Sequence, residues 1–361
     1  MHQVKAIKTK PIIFNLLHSN LRGGIEQMYL YYSEILASLE YEVICIVPSD
    51  FQYFDELNKL PVKIQIFDVH GYYDLFATYQ LHRLIKRFRP LFLISHKGRS
   101  HSIVAHWQRF FAQTSRPISI GVSHGCIKRS KHFDVMICVS HYLTEWLIKD
   151  KYQGKLFCIP NFQPINPIPQ VDKREGFDTF RLGVLSRLSK EKNVSLALEA
   201  LRIIKNKYPD QKIHLTIAGD GDCAADLREQ TNTLKLTEQV SFVGWINDKD
   251  QFFASIDALL FPSYYEPFGI IILEAFNHQI PVIAANAFGP AEIITNQHNG
   301  LLFENHNAED LARQIQWLFN HPSAYHAIAQ EGYKTLVEKY SPKTAQSLLQ
   351  KVINNLQTPN N

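Results

Sequence analysis

The sequence predicts an α/β protein built from two doubly wound parallel-sheet domains. Three observations lead to this prediction. Short apolar runs alternate with helix-period segments from end to end, a proline cluster interrupts the alternation once, and 361 residues exceed what one core usually serves. Open parallel sheets bind ligands beyond the carboxyl ends of their strands, so we expect a cleft between the two domains.

Apolar runs predict the positions of the strands, and helices are expected between them. In the first half the runs cover residues 12–17, 42–47, 62–67, 91–95, 117–122 and 134–139. In the second half they cover residues 181–185, 213–218, 239–243, 257–261, 281–284 and 300–303. A final helix is expected over residues 343–356.

Proline marks the boundary between the two domains. Residues 160–169 contain four prolines, and such a segment continues neither a helix nor a central strand. We therefore predict an N-terminal Rossmann-like domain over residues 1–165 and a C-terminal Rossmann-like domain over residues 170–340. The helix in residues 341–361 is expected to pack back on the first domain.

The composition, 45% hydrophobic and 20% charged, is that of an ordinary soluble protein. No apolar stretch approaches the roughly 18 residues of a membrane span. Asn15 and His18 interrupt the apolar start, and no cleavage site follows, so we expect no signal peptide and a cytoplasmic location. The five cysteines form no Cys-x-x-Cys pair, so buried free thiols are expected, without disulfides or zinc.

Charge is distributed unevenly around a net value of +4. Residues 1–175 hold 22 Lys or Arg against 14 Asp or Glu, a balance of +8, and the remainder holds 16 against 20, a balance of −4. Residues 83–89 and 128–131 are strongly basic. These segments fit anionic lipid headgroups, a phosphorylated acceptor or nucleic acid, or equally well a solvated helix surface.

The segment from Glu266 to Glu274 says most about function. It follows the apolar run 258–263, and it predicts a loop carrying Glu266 and then a helix from Gly269 onward. Glu274 falls about 6 Å along that helix, at roughly 1.5 Å of rise per residue. The helix N-terminus between the two carboxylates suits an anion. A hydroxyl acceptor, an anion cradle and a second hydroxyl acceptor in this order fit a nucleotide sugar.

Two cations are expected at the same edge of the second sheet. Arg187 ends the first strand of the second half, and Lys192 precedes a helix for which Asn193 is the expected N-cap. A fixed guanidinium and a mobile ammonium suit a diphosphate that gains charge as its bond to sugar breaks. Taken alone, an Arg and a Lys near a helix start are more often surface residues.

The second half resembles the retaining glycosyltransferases of family 4, which have the two-domain GT-B fold. The resemblance is carried, in order along the chain, by residues 186–193, 217–221, 240–245, 262–275, 281–284, 292–294 and 299–303. The first half matches more thinly, through residues 23–26, 123–124 and 134–140. Ser186, Asn193, Gln279 and Phe162 replace glycines that are common in the family, which bears on loop shape and donor choice.

The resemblance implies roles for charged and ionisable side chains. Arg187 and Lys192 would hold the diphosphate, Glu266 the hydroxyls of the transferred sugar and Glu274 the ribose. His124 matches the first-domain histidine near the reacting sugar, although a lone histidine at a strand end is as often a structural residue.

The resemblance also implies backbone contacts to the donor. The amides of Phe268, Gly269 and Ile270 would face the phosphates and sugar. The backbone near Gly244 and Trp245 would border the base. Gly23 and Gly24 would let the chain approach the donor from the opposite wall.

The implied function is transfer of a hexose, with retention, from a nucleoside-diphosphate sugar to a glycan or lipid-linked acceptor. UDP is favoured as the commonest family case, and lipopolysaccharide or surface polysaccharide synthesis is the expected setting. Neither a metal nor a cofactor is expected, and the nucleotide sugar is a co-substrate. The expected partners are this donor, the acceptor and an anionic membrane surface on the cytoplasmic face, without nucleic acid.

Four alternatives stay open at this point. Asp220 and Asp222 fit a metal-binding pattern of another glycosyltransferase fold, and the two glutamates could serve glycoside hydrolysis. A nucleotide-dependent dehydrogenase would need a third glycine where Ala224 stands. A catalytically inactive binding or scaffold protein on the same fold would keep the same charged residues.

Overall fold

The computed structural model describes residues 10–112, 116–126, 130–166 and 176–357. These residues form two compact units, each with its own parallel sheet. The first unit comprises the described residues up to Asn161 together with those from Ala345 onward, and the second comprises those within Phe162–Thr344. Residues 167–169 of the predicted linker, and Lys128 and Arg129 of the second basic segment, lie outside the described part of the chain.

The first sheet has seven described parallel strands in the order β3-β2-β1-β4-β5-β6-β7. The strands are β1 Ile12–Leu17, β2 Glu42–Val47, β3 Lys63–Ile66, β4 Phe92–His96, β5 Ile118–Ser123, β6 Val135–Cys138 and β7 Lys155–Cys158. The helices are α1 Gly24–Ser38, α2 Phe54–Asn58, α3 Leu75–Phe88, α4 Gly98–Phe111 and α5 His141–Lys149. The strand order reverses between β1 and β4.

The second sheet has six described parallel strands in the order β10-β9-β8-β11-β12-β13. They are β8 Phe180–Leu185, β9 Ile213–Ala218, β10 Val240–Gly244, β11 Ala258–Phe261, β12 Val282–Ala285 and β13 Leu301–Phe303. The helices are α6 Val194–Lys207, α7 Ala224–Thr233, α8 Lys249–Ser255, α9 Ile270–Asn277, α10 Phe288–Ile293, α11 Ala308–Asn320, α12 Pro322–Lys339 and α13 Pro342–Gln357. In α13, Gln346 donates a hydrogen bond to Ser38 and Gln357 donates one to Tyr41.

The central strands are apolar on both faces because helices cover both sides of a parallel sheet. In β1, for example, Ile13, Phe14, Leu16 and Leu17 are all fully buried. The core of the second unit packs β8, β9 and β12 against α6 and α11.

The predicted fold class is confirmed, and twelve of the strands agree with the sequence prediction to within one residue at either end. Strand β7 was missed because it is four residues long, only partly buried and at the edge of its sheet. The expectation of buried thiols is wrong for Cys126, which is exposed, whereas Cys45 and Cys138 are buried. Asn193 precedes α6 as predicted, but its side chain makes no capping hydrogen bond.

No helix among the described residues combines the length and the hydropathy that crossing a bilayer requires.

Candidate active site

The strand order of the second sheet reverses between β8 and β11, which lie side by side. At such a switch point the loops after the two strands leave in opposite directions, and a crevice opens at the carboxyl edge of the sheet. Arg187 and Lys192 follow β8, and Glu266 follows β11. The topology therefore brings these three predicted site residues to one crevice.

Lys192 and Glu266 form an ion pair across this switch point, although they are 74 residues apart in sequence. The Lys192 Nζ lies 2.5 Å from Glu266 Oε2, and the two side chains are only 20% and 17% exposed. Backbone hydrogen bonds hold the surrounding loops together. The Tyr264 N–H donates to the Glu191 carbonyl at 3.1 Å, and the Gly289 N–H donates to the Glu266 carbonyl at 3.0 Å.

Arg187 is oriented by Glu191, a residue to which the sequence interpretation gave no role. Its Nη2 donates to Glu191 Oε1 at 2.8 Å, and the Ser189 hydroxyl donates to the same oxygen at 2.7 Å. Hydrogen bonds from the Ser189 hydroxyl, from the Glu191 backbone N–H and from the Arg187 guanidinium, in that order of size, lower the pKa of Glu191 to about 2. Glu191 is therefore ionised at neutral pH, and Arg187, 68% exposed, projects toward solvent with donors beyond the one that it uses here.

The loop after β8 packs directly against the turn after β9. A Cβ on Gly219 would lie 1.8 Å from the Ser186 carbonyl oxygen, and one on Gly221 would lie 2.5 Å from the Leu188 carbonyl oxygen. Both glycines also have positive φ, 128° and 156°. The Gly-Asp-Gly sequence is thus explained by close backbone contact, which sets the position of the loop that carries Arg187.

The metal-site alternative depended on the two aspartates of this turn. Asp220 Oδ1 accepts a hydrogen bond from the Gly221 N–H at 2.8 Å, a local turn interaction. Within the part of the chain that the structure describes, no group of three or more His, Cys, Asp or Glu residues is placed to hold a metal ion.

The N-terminus of α9 follows directly on the Glu266 loop. Gly269 has φ 107° and precedes Ile270, the first residue of the helix, while Phe268 is 4% exposed. The first amides of an α-helix have no acceptor within the helix and carry the positive end of its dipole. A Cβ on Gly289 would lie 2.4 Å from the backbone N and Cα of Phe268, so α10 packs against this loop through main-chain contact.

Glu274, the fifth residue of α9, is 3% exposed and is held by a cation that the sequence interpretation missed. Lys249, at the start of α8, places its Nζ 2.7 and 2.9 Å from the two carboxylate oxygens. A buried carboxylate requires such a partner. Because 25 residues separate the pair, no local pattern could have revealed it.

Gly244 and Trp245 lie at the carboxyl end of β10, the edge strand on the β8 side of the sheet. Gly244 has φ 70°, and its carbonyl accepts from the Gly219 N–H at 2.7 Å. Trp245 is 61% exposed. This corner is joined to the Arg187 loop through the turn after β9, and its indole offers an exposed aromatic face.

Gly23, Gly24 and His124 lie in the first unit, where the switch point is between β1 and β4. Gly23 is extended, with φ −151°, and Gly24 is the first residue of α1. In the same turn Glu26, 2% exposed, accepts from the Ser19 hydroxyl at 2.5 Å and from Lys97 Nζ at 2.6 Å. This ion pair, with its carboxylate buried, joins the loops after β1 and β4.

His124 ends a chain of hydrogen bonds whose directions can be assigned. The Ser33 hydroxyl donates to the Tyr29 carbonyl at 2.8 Å, so it accepts from Asn15 Nδ2 at 3.0 Å. The Asn15 amide oxygen therefore accepts from His96 Nε2 at 3.0 Å. His96 Nδ1 is then the acceptor for His124 Nε2 at 3.2 Å.

Both rings are neutral at pH 7. Burial lowers the pKa of His124 to about 4, with a smaller contribution from Lys97, and it lowers the pKa of His96 well below its usual value. The chain of hydrogen bonds places the His124 proton on Nε2 and a lone pair on Nδ1, a buried atom without a hydrogen-bond partner among the described residues. His124 therefore donates through Nε2 and has Nδ1 left to accept a hydrogen bond.

Comparison with solved structures shows which class of fold this is. A glycosyltransferase from Rickettsia africae ESF-5 superimposes with a TM-score of 0.82, at 17% identity, covering 97% of this chain and all of that one. Alr3699/HepE from Anabaena, solved in complex with UDP and glucose, gives 0.81 at 18% identity, covering 96% of this chain and all of that one. The fold is that of the GT-B glycosyltransferases.

Sequence comparison adds a family match for part of the chain. Residues 171–335 match the family described as "Glycosyl transferases group 1". Over 332 residues the chain is 22% identical to the lipopolysaccharide core biosynthesis glycosyltransferase LpsD of Rhizobium meliloti (strain 1021). The aligned region covers 91% of this chain and 94% of the relative.

Proposed function

We propose that this chain is a retaining, metal-independent glycosyltransferase. It moves a hexose from a nucleoside-diphosphate sugar, with UDP favoured, to a hydroxyl of a glycan or lipid-linked acceptor in lipopolysaccharide or surface polysaccharide synthesis. The observation that carries the proposal is the Lys192–Glu266 pair, held at the switch point of the second sheet directly before the N-terminus of α9.

Charge favours a diphosphate at this crevice. Lys192, Arg187 and the first amides of α9 are three sources of positive potential on adjacent loops, and each interacts favourably with a phosphate oxygen. Glu266 is an acceptor next to the ammonium, so it suits sugar hydroxyls beside the phosphates. Glu274, neutralised by Lys249, supplies acceptor oxygens further along α9 for the ribose.

The proposed reaction needs no protein nucleophile. The acceptor oxygen forms a bond to the anomeric carbon on the face from which the diphosphate leaves, the carbon–oxygen bond to that diphosphate breaks, and the hydroxyl proton passes to the departing phosphate oxygen. Lys192 and Arg187 stabilise the charge that develops on this phosphate. His124, with its lone pair on Nδ1, accepts a hydrogen bond and orients a hydroxyl.

The relatives support the choice of donor and acceptor. The HepE structure contains UDP and glucose, which favours a UDP-hexose donor for this chain. The relative LpsD acts in lipopolysaccharide core biosynthesis, which favours an acceptor of that class. Glu266 and Glu274 each pair with their own lysine, an arrangement unlike two carboxylates that share one glycosidic bond.

Calorimetry with UDP, GDP and ADP, followed by turnover of the corresponding hexose donors, tests the proposal. We expect Lys192→Ala to lower turnover by about 10²- to 10³-fold, as loss of one charge-stabilising donor does elsewhere. Lys190→Ala is the matched control, because Lys190 is an exposed lysine in the same short turn. Glu266→Gln, which keeps shape and removes charge, should weaken transfer while leaving nucleotide affinity close to that of the parent.

Each contrary result points to a named alternative. Activity lost on adding chelator would indicate a metal site, and sugar released from a glycoside without nucleotide would indicate hydrolysis. A protein that binds nucleotide but whose product is unchanged by Lys192→Ala and Glu266→Gln would be a binding or scaffold protein.

A further inference from the structure

The first unit has an exposed surface that combines aromatic and basic side chains, and none of the site described above uses it. Of the large apolar residues that the structure exposes, six fall in residues 72–79 or at the end of α4. We call these six the aromatic surface: Tyr72 (52% exposed), Tyr73 (77%), Leu75 (60%), Phe76 (71%), Tyr79 (50%) and Phe110 (57%).

The aromatic surface is continuous because α3 and α4 pack side by side. The Tyr73 ring stacks on His106 of α4 with centroids 5.6 Å apart, and the Tyr79 ring lies 6.3 Å from that of Phe111. Phe110 and Phe111 are the last two residues of α4. Patches of exposed apolar side chains of this kind mark interaction sites in soluble proteins.

The outer face of α3 changes from apolar to basic along its length. Phe76, Tyr79, Arg83 and Lys86 recur every three to four residues and are all exposed, while Ala77, Thr78, Leu81 and Ile85 are buried beneath them. On α4, the Arg109 guanidinium lies 5.8 Å from the Phe110 ring centre. Basic side chains therefore adjoin the aromatic surface on both helices, since Arg83 lies one turn beyond Tyr79 on α3.

The two helices of this surface are basic. Helices α3 and α4 contain five Lys or Arg and no Asp or Glu, and Asp74, between Tyr73 and Leu75, is the N-cap of α3. A second copy docked face to face would bring these cations together, which is unfavourable. Aromatic side chains that enter the boundary between headgroups and acyl chains, flanked by Arg and Lys that contact phosphates, are instead typical of interfacial membrane binding.

We propose that the aromatic surface and the outer face of α3 dock the protein on an anionic phospholipid bilayer. Phe76, Leu75 and the neighbouring tyrosines enter the headgroup layer, and Arg83 and Lys86 contact lipid phosphates. The inference concerns binding to a surface, so it can fail or hold independently of the proposed transfer reaction.

Vesicle sedimentation of the full chain tests this docking. We expect binding to phosphatidylcholine vesicles that contain phosphatidylglycerol, little binding to phosphatidylcholine alone, and weakening as salt increases. The double variant Leu75→Ser with Phe76→Ser should lower the partition coefficient by at least about tenfold. Arg83→Gln with Lys86→Gln should lower it by about fivefold for each charge.

Matched controls come from exposed residues of the second unit. Tyr208→Ser with Val337→Ser removes two apolar side chains that are 39% and 40% exposed, and Lys207→Gln with Lys339→Gln removes two exposed charges. Both should leave partition unchanged. Unaltered melting temperature and nucleotide affinity would show that the α3 variants are folded, and hydrogen exchange should slow in residues 72–79 when anionic vesicles are present.

Three results would overturn the proposal. The first is a parent protein that fails to sediment with anionic vesicles, and the second is sedimentation of the α3 variants equal to that of the controls. The third is protection of residues 72–79 by single-stranded RNA or by a concentration-dependent dimer rather than by vesicles, which would assign the surface to nucleic acid or to a second copy.

Discussion

Replacing Gly289 by alanine should displace the loop that carries Glu266 and Phe268. A Cβ at position 289 would lie 2.4 Å from the backbone N and Cα of Phe268, whereas ordinary contact begins at 3.4 Å, so the required movement is 3.4 − 2.4 = 1.0 Å. The opposing atoms belong to the main chain, so no side-chain rotation can relieve the clash.

The size of the effect follows from that movement. Overpacking of this kind costs about 1–3 kcal/mol of unfolding free energy. Gly289 also donates its N–H to the Glu266 carbonyl at 3.0 Å, so the displacement reaches both Glu266 and the start of α9. A catalytic group misplaced by about 1 Å lowers turnover by roughly 10²-fold.

Gly176→Ala is the control, since a Cβ there has no atom within 4 Å. Thermal unfolding, calorimetry with nucleoside diphosphate and donor turnover should be measured for both variants. We expect Gly289→Ala to melt at a lower temperature, bind nucleotide more weakly and turn over more slowly, with Gly176→Ala close to the parent. Equal values for the two variants in all three measurements would refute the reasoning.

Three further outcomes are expected. The pKa of Glu191 is lowered from 4.5 to about 2, so the stabilisation by its carboxylate is complete above about pH 4.5 and is lost as pH falls toward 2. The difference in unfolding free energy between the parent and Glu191→Gln should therefore narrow over that range. A constant difference would contradict this prediction. Gln279 lies two residues beyond the end of α9 with φ 52°, so Gln279→Gly should raise stability by up to about 1 kcal/mol in thermal unfolding. A side chain in the left-handed region costs about 1–2 kcal/mol, which exceeds the extra backbone entropy of about 0.5–1 kcal/mol that glycine loses on folding; a lower melting temperature would contradict this prediction. His96→Phe removes the atom that accepts the hydrogen bond from His124 Nε2. The ¹⁵N shifts of the His124 ring should then show a mixture of tautomers, whereas the parent should show the Nε2–H tautomer alone. An unchanged spectrum would show that His96 does not set the tautomer.

The spacing of apolar residues and the positions of turn-forming residues made most of the fold predictable from sequence. Apolar runs and proline positions located twelve strands, because burial on both faces of a parallel sheet leaves a strong local pattern. Strand β7 lacked that pattern, since Lys155–Cys158 is an edge strand and only partly buried. Asn193 and Gln279, which by the resemblance stand at positions where glycine is common, both have positive φ, at 50° and 52°.

The sequence predicted the residues of the candidate site but not the ion pairs that they form. Glu266 and Lys192 were recognised as charged residues after strands, yet their contact depends on β8 and β11 being neighbours. Lys249 beside Glu274, Lys97 beside Glu26 and the close approach of Gly289 left no local signal.

Residue types, strand periods and loop chemistry were readable directly from the chain, because each reflects interactions among near neighbours. Which carboxylate meets which cation, how His124 holds its proton and where aromatic side chains of α3 and α4 merge into one surface were decided by strand order and helix packing. Those features join residues tens of positions apart, and their energies arise only once the sheet has brought its loops to a common edge.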